Sequence, residues 1–255
     1  MAADEPAAKD LLLSLMPEIE QTDRDDLQLE TLAQLGELYL VRTAYDGVRE
    51  GATRIRECLA AYLSILDGTA TPEVVAKSTM TDADARHLIC RYSRRAQFLQ
   101  IGLAAALGDH EGAAAALEVL DGMTSDDAAF ADLRDEYAYL CTYARINCAT
   151  ALCDDDLHVR SVPLWQRVIA DIDGPGNGSE STDNLLVLGG IGYARFCIET
   201  GALDEAEPWL RRAGARAEAR KWPLAIAEPS WSVPRSAGRG ANSWPPRHWS
   251  ARPTR

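Results

Sequence analysis

Histidine and cysteine residues stand in two places at spacings that could hold a metal ion. His87 and Cys90 are three residues apart, and Cys141, Cys148 and Cys153 follow one another along a later segment. A zinc site needs about four ligands that converge on one point. On a helix, Cys141 and Cys148 share a face, whereas Cys153 is rotated away by about 140°. We therefore expect buried free thiols here and no metal site.

Carboxylates cluster at Asp154–Asp156 and again at Asp23, Asp25 and Asp26. A calcium loop needs alternating oxygen ligands, a glycine at the turn and a distal glutamate, and neither cluster has that pattern. Both clusters are typical of solvated helix starts, where negative charge is favourable. The abundance of acidic residues does not by itself indicate an enzyme with paired carboxylates.

Two glycine-rich stretches, GPGNGS at 174–179 and GGIG at 189–192, lack the features of a phosphate-binding loop. Neither follows a strand or precedes a Lys-Ser/Thr pair. The first is typical of a surface loop, and the second predicts a helix that packs tightly against its neighbour. Because no catalytic constellation is present, we expect a protein that is not an enzyme and needs no cofactor.

The composition disfavours several classes of partner. The net charge is -13, whereas direct nucleic-acid binding needs a basic footprint and docking on anionic membranes needs positive charge. No apolar run approaches the ~20 residues of a membrane span, and the acidic start MAADEPAAKD is unlike a secretory signal. Six scattered cysteines predict free thiols in a reducing compartment, so we expect a cytoplasmic protein. Only three lysines among 26 basic residues indicate the coding bias of a GC-rich, bacterial genome.

Helix-start signals recur along the chain, whereas nothing before residue 222 alternates apolar and polar residues as a half-buried strand does. Hydroxyl residues before an acidic first turn predict N-caps at Thr22, Thr71, Thr81, Ser125 and Thr182. We predict helices over residues 5–20, 23–43, 46–66, 72–78, 82–107, 110–122, 126–153, 158–172, 183–200 and 203–221. Short turns join most of them, which favours antiparallel neighbours.

One plan recurs along the chain: a glycine or polar turn, followed by a helix with a small residue near its start. GALDEAEPWLRRA begins at Gly201, LGDHEGAAAALEVL turns at Gly108, and TAYDGVREGATRI begins at Thr43. DDLHVRSVPLWQRVI is a weaker copy that begins at Asp155, with Arg160 in the position that is small elsewhere. A small residue lets two helices approach closely, and a pair that cannot bury its own apolar face must stack on others.

The stretches Tyr193–Ala215 and Leu32–Ala52 each resemble one helix–turn–helix unit of the tetratricopeptide repeat family, with Leu35 and Gly36 at first-helix positions of that family. The spacing exceeds the ~34 residues of the family repeat, and the chain is more similar to the irregular long-helix arrays of bacterial signal-transduction regulators. The resemblance implies an all-α, right-handed solenoid of antiparallel helix pairs over residues 5–221. It also implies a non-catalytic module that binds a peptide or partner helix in its concave face.

In such an array the first helix of each pair lines the concave surface. On that alignment we predict that a charged and aromatic set binds the partner: Glu37, Arg91, Arg95, Phe98, Arg145, Arg195 and Glu199. The arginines would bind carboxylate or phosphate groups of the partner in a bidentate way. The alternative is that each arginine pairs with nearby acids of this chain, because surface ion pairs are common.

Residues 222–255 differ in composition from the rest of the chain, because they hold four of the six Trp and six of the twelve Pro. The helical pattern stops there, and we predict a disordered tail. The abrupt change also fits an out-of-frame or truncated end, so the alternative function is a sensor fragment of a larger bacterial transcriptional regulator that lacks its ATPase and DNA-binding parts. An incomplete array would leave an apolar end exposed, which predicts self-association.

Overall fold

The computed structural model describes residues 5–22, 24–71, 80–123, 128–173 and 180–222. In these ranges the chain forms helices and no strand, which confirms the predicted all-α class. The α-helices are α1 (Glu5–Ile19), α2 (Asp25–Val41), α3 (Tyr45–Leu66), α4 (Asp82–Leu107), α5 (His110–Gly122), α6 (Arg134–Asp154), α7 (His158–Asp173), α8 (Glu180–Thr200) and α9 (Leu203–Ala219). A 3-10 segment at Ala128–Leu133 precedes α6.

Two compact units divide the chain, and the border between them falls within α6. The first unit covers Ala2–Ala144 and contains α1 to α5 with the first half of α6. The second unit covers Arg145–Arg255 and contains the rest of α6 with α7 to α9. Several predictions lie outside the described residues: the helix over 72–78 that Thr71 would cap, the cap at Ser125, the loop over 174–179, and residues 223–255 of the tail.

Four helix pairs of the described chain reverse direction through turns of one design. Each turn has one residue with left-handed backbone: Thr43 (φ 59°), Gly108 (φ 76°), Asp156 (φ 59°) and Gly201 (φ 84°). The N–H of the next residue donates to a carbonyl near the end of the preceding helix, at 2.7–2.9 Å. This is the Schellman arrangement that satisfies the last carbonyls of a helix. The pairs α2/α3, α4/α5, α6/α7 and α8/α9 therefore share one register.

This shared register corrects the sequence alignment of the third pair. Its left-handed residue is Asp156 and not Asp155, so the position assigned to Arg160 belongs to Ser161. The corrected position holds a buried residue without a long side chain in all four pairs: Val48, Ala113, Ser161 and Ala206. A second shared position is fully buried in each pair: Ile55, Leu120, Val168 and Ala213. The second helices of the four pairs thus pack with equivalent faces. The stretch that begins at Asp155 follows the same plan as the other three once it is shifted by one residue.

The GGIG stretch lies inside α8 and packs against α7, as the sequence predicts. A Cβ atom added to Gly192 would lie 2.5 Å from Cη2 of Trp165, which is itself buried. A Cβ atom added to Gly189 would lie 2.6 Å from Cδ1 of Ile172. Neither glycine has room for a side chain, so the two helices approach more closely than alanine would allow.

The predicted caps at Thr81 and Thr22 have different outcomes. The Thr81 hydroxyl accepts a hydrogen bond from the N–H of Asp84 at 3.2 Å, which confirms this cap. The cap at Thr22 is wrong, because its hydroxyl donates to the carbonyl of Ile19 at 2.7 Å. Thr22 therefore lies at the C-terminal end of α1 and does not cap the N-terminus of α2.

Two helices begin at other residues than the sequence predicts. The cap at Thr182 is wrong, because α8 already begins at Glu180 and Thr182 lies within it. The buried Asp183 lies 2.6 Å from Arg220, the residue that directly follows α9, an ion pair that no local sequence pattern predicts. The helix predicted over 126–153 is divided, because the backbone of Phe130 (φ -115°, ψ 21°) is not helical.

Two matched substitutions test the close contact at Gly192. Gly214 lies within α9 with open space around it, so we expect Gly214→Ala to raise the free energy of unfolding by about 0.5–1 kcal/mol. Gly192→Ala gains the same helix propensity but drives its Cβ into Trp165. We expect its free energy of unfolding to be about 1–3 kcal/mol below that of Gly214→Ala. Urea denaturation measures both values, and equal effects would contradict the tight packing of α7 on α8.

Candidate functional site

Charged side chains link the alternate helices α2, α4 and α6 in the first unit. Arg95 of α4 lies among three carboxylates, with 12% of its side chain exposed. Its Nε donates to Glu136 Oε1 at 2.7 Å, and its Nη1 lies 3.3 Å from Glu30 Oε1 and 3.5 Å from Glu37 Oε1. Arg91, one turn earlier on α4, pairs with Glu136 at 2.9 Å and with Glu30 at 3.5 Å. We call these five residues the charged face.

The charged face has a surplus of negative charge. Three carboxylates share two guanidinium groups, so the five side chains sum to one negative charge when all are ionised. Solvent reaches this face, because Glu30 and Glu37 expose 34% and 36% of their side chains. A cationic group from outside the chain would therefore find an attractive potential here.

The two carboxylates that α2 contributes to the charged face lie in opposite environments. Burial raises the pKa of Glu37, and repulsion from Glu30 and Glu136 adds to this, although the charge of Arg95 opposes both. Burial also disfavours the charge of Glu30, but a hydrogen bond from Gln34 and the charge of Arg95 help to outweigh it, so the pKa of Glu30 is lowered. Glu37 is thus the carboxylate of α2 whose charge the chain compensates less well.

Aromatic rings of α4 and α6 adjoin the charged face. The ring centroids of Phe98 and Tyr143 are 5.4 Å apart, and those of Tyr143 and Tyr139 are 5.8 Å apart. Burial raises the pKa of the Tyr143 phenol, and the nearby Tyr139 and Glu37 raise it further. Phe98, predicted to contact a partner, is instead only 2% exposed and belongs to the core. Tyr143 is the half-buried ring near Glu37, and the half-buried Tyr139 adjoins it; no sequence pattern singles out either tyrosine.

The remaining predicted site residues lie in the second unit. Arg145, with 9% of its side chain exposed, places Nη1 2.8 Å from Asp171 Oδ2. Arg195 places Nη1 2.7 Å from Asp154 Oδ1 and Nε 2.8 Å from Glu199 Oε1. All four predicted arginines therefore pair with acids of this chain, as the alternative interpretation proposed. Direct binding of a partner by these arginines stays a prediction.

A narrow crevice lies between α4 and α6 in the first unit. Its lining residues are Arg91, Arg94, Leu133, Glu136, Tyr137 and Leu140, and its volume is ≈ 150 Å³ with open solvent included. Small-molecule pockets are typically about 300–1,000 Å³. The Arg94 side chain also occupies this region, because its Nη2 donates to the Met123 carbonyl at 2.7 Å and its guanidinium stacks 4.4 Å from the Tyr137 ring. The crevice is thus too small for a typical small-molecule ligand.

A group of side chains with the donor types of a metal site occurs in the second unit. The candidate ligand atoms of Cys153, His158 and Glu199 all lie within 4.8 Å of one another. By sequence, Cys153 groups only with the other cysteines of α6, and Glu199 is predicted to bind a partner. The signal that could have joined them is the α6/α7 turn, which places Cys153 and His158 on either side of a short connection.

Comparisons with known proteins do not assign this chain to a family. Nothing matched it among protein-family models, curated proteins or solved structures. The resemblance to tetratricopeptide repeats therefore stays a prediction. The six cysteines are free, with four of them buried and Cys58 and Cys90 half-buried. Across the described ranges, no helix combines the length and the apolar character that crossing a bilayer requires.

The opposite pKa shifts of Glu37 and Glu30 predict opposite pH dependences for two variants. Folded Glu37 holds its proton more tightly than unfolded Glu37, so its contribution to stability is complete in acid and is lost as the pH rises through its raised pKa. Glu37→Gln should match the wild type in acid and be more stable at neutral pH. Glu30→Gln should be less stable at neutral pH, and this deficit should disappear as the pH falls through the lowered pKa of Glu30.

Urea denaturation at a series of pH values measures the free energy of unfolding of both variants. The two variants are matched, because each replaces one carboxylate of α2 by its neutral isostere. The same pH trend in both would contradict the environments assigned to Glu37 and Glu30.

Proposed function

We propose that this protein is a non-catalytic protein–protein interaction module, built as a tetratricopeptide-like solenoid of antiparallel helix pairs. We propose further that the charged face binds a peptide segment or a partner helix that carries Lys or Arg. The observation that carries the proposal is the setting of Glu37, a solvent-accessible carboxylate with surplus negative charge around it and the half-buried Tyr143 nearby.

The contacts between alternate helices support the repeat architecture. Helix α2 packs on α4, and α4 contacts α6 through the Arg95–Glu136 ion pair and the Phe98–Tyr143 ring contact. In stacked helix pairs, contact between successive first helices brings them onto one common surface, and repeat proteins bind their partners there. The four equivalent turns supply the regularity that such stacking requires.

The charges of this surface support the chemistry of the partner. A cationic side chain next to Glu37 would supply the compensation that Arg95 supplies only in part. The long apolar stem of a lysine or arginine could pack on Tyr139 and Tyr143, whose rings stand 5.8 Å apart. In this proposal Arg91 and Arg95 hold the carboxylates in position and do not themselves contact the partner.

A selection of random peptides on the wild-type chain tests this proposal. We expect the selected peptides to be enriched in Lys or Arg, and to bind Glu37→Gln roughly 10-fold more weakly, because a charged hydrogen bond is lost. Isothermal titration calorimetry measures the affinities. Since Glu37→Gln should stabilise the fold at neutral pH, weaker binding cannot be attributed to unfolding.

The matched control is Glu118→Gln, which removes one exposed carboxylate from α5, away from the charged face. It should bind the selected peptides as the wild type does. Selected peptides rich in acidic residues, or equal binding by Glu37→Gln and the wild type, would contradict the proposal.

A further inference from the structure

Three helix ends meet in the second unit. The last turn of α6 supplies Cys153, the first residue of α7 is His158, and the last turn of α8 supplies Glu199. One candidate ligand atom from each residue lies within 4.8 Å of the other two. Sulfur, imidazole nitrogen and carboxylate oxygen therefore converge from three different helices on one small volume.

Polar atoms at this place are buried without a hydrogen-bond partner among the described residues: His158 Nδ1, Glu199 Oε2 and Trp165 Nε1. His158 Nε2 approaches Glu199 Oε2 at 3.4 Å, but this contact is not a hydrogen bond. Nearly all buried polar atoms in folded proteins have a partner, because burial without one costs free energy. Three such atoms in one cluster indicate that a further group completes it.

The surroundings of the cluster orient its ligands. Arg195 donates from Nε to Glu199 Oε1 at 2.8 Å and is itself held by Asp154 at 2.7 Å. This fixes the carboxylate through one oxygen and leaves Oε2 for another partner. Partners of this kind, which orient a ligand from outside, are typical of metal sites.

The sulfur of Cys153 is buried beside two polar side chains, Ser161 and Trp165. Cys153 is only 4% exposed, and its thiol donates to the Ser161 hydroxyl oxygen at 3.4 Å. Burial raises the pKa of the Cys153 thiol, although Ser161 and the nearby indole N–H of Trp165, which is 1% exposed, oppose this. A sulfur that carries negative charge would give this unpaired N–H an acceptor.

We propose that Cys153 Sγ, one imidazole nitrogen of His158 and Glu199 Oε2 bind a single divalent metal ion, and that Zn²⁺ is the ion that fits them best. A thiolate, an imidazole and a carboxylate are all ligands of Zn²⁺. The thiolate and the carboxylate balance the two positive charges of the ion. The Cys153 thiol releases its proton to solvent as the sulfur–metal bond forms. Three protein ligands leave the fourth tetrahedral position to a water molecule.

Cobalt(II) substitution of the full chain tests this site, because thiolate coordination of Co²⁺ gives a charge-transfer absorption band in the near ultraviolet. We expect one Co²⁺ per chain with this band, and displacement of Co²⁺ by Zn²⁺. Cys153→Ser should lose the band. His158→Asn and Glu199→Gln should weaken binding by at least about 10–100-fold, the loss that even an outer partner of a metal ligand causes. Cys148→Ser should keep the band, because Cys148 is a buried thiol of the same helix outside the cluster.

Circular dichroism establishes that each variant is folded, and thermal unfolding with and without Zn²⁺ gives a second measurement. Zn²⁺ should raise the Tm of the wild type and not that of Glu199→Gln. Glu199→Gln retains a side-chain oxygen that can accept the hydrogen bond from Arg195. This variant therefore still tests the site if Cys153→Ser does not fold. The absence of the cobalt band in the wild type, or a band and a Tm shift that survive Glu199→Gln, would overturn the proposal. Ordered water would then be the group that completes the cluster.

Discussion

The single left-handed residue between the two helices of each pair is the constraint on which the rest of this structure depends. It ends the first helix in a Schellman arrangement and fixes where the second helix begins, so all four pairs have one register. That register places small residues such as Ser161 and Ala206 at a buried position near the start of the second helix. Thr43 and Asp156 keep this conformation without glycine, at a cost of about 1–2 kcal/mol each. The chain therefore maintains the turn even where its local residues disfavour it.

The packing of the first helices of successive pairs has an electrostatic consequence in the first unit. Helices α2 and α4 lie near enough for Arg95 to reach carboxylates on α2 and on α6 at once. Burial disfavours the charge of Glu37 and raises its pKa, and repulsion from the other two carboxylates adds to this against the opposing charge of Arg95. A group that costs stability in the free protein is more often found at functional sites than in purely structural ones. This connects the packing of the helices with the proposed binding of a cationic partner.

The helices and their turns could be predicted from the sequence because their signals are local. The turn at Gly201 and the cap at Thr81 depend on residues within a few positions of each other. The ion pair between Asp183 and Arg220 was missed because it joins distant segments. The partners of Arg95 and the cluster around Cys153 were missed for the same reason, since their members come from different helices. Sequence periodicity predicts which face of its helix a residue occupies, but it does not predict which charged residue of another helix lies opposite.

The most direct test of the proposed function is photo-crosslinking with a selected peptide. The peptide would carry a photoreactive group beside its Lys or Arg, and mass spectrometry would locate the crosslinked residues on the chain. The proposed binding mode predicts crosslinks on α2, α4 and α6 near Glu37 and Tyr139. Crosslinks confined to α3 and α5, or to the second unit, would contradict the assignment of the charged face as the binding surface.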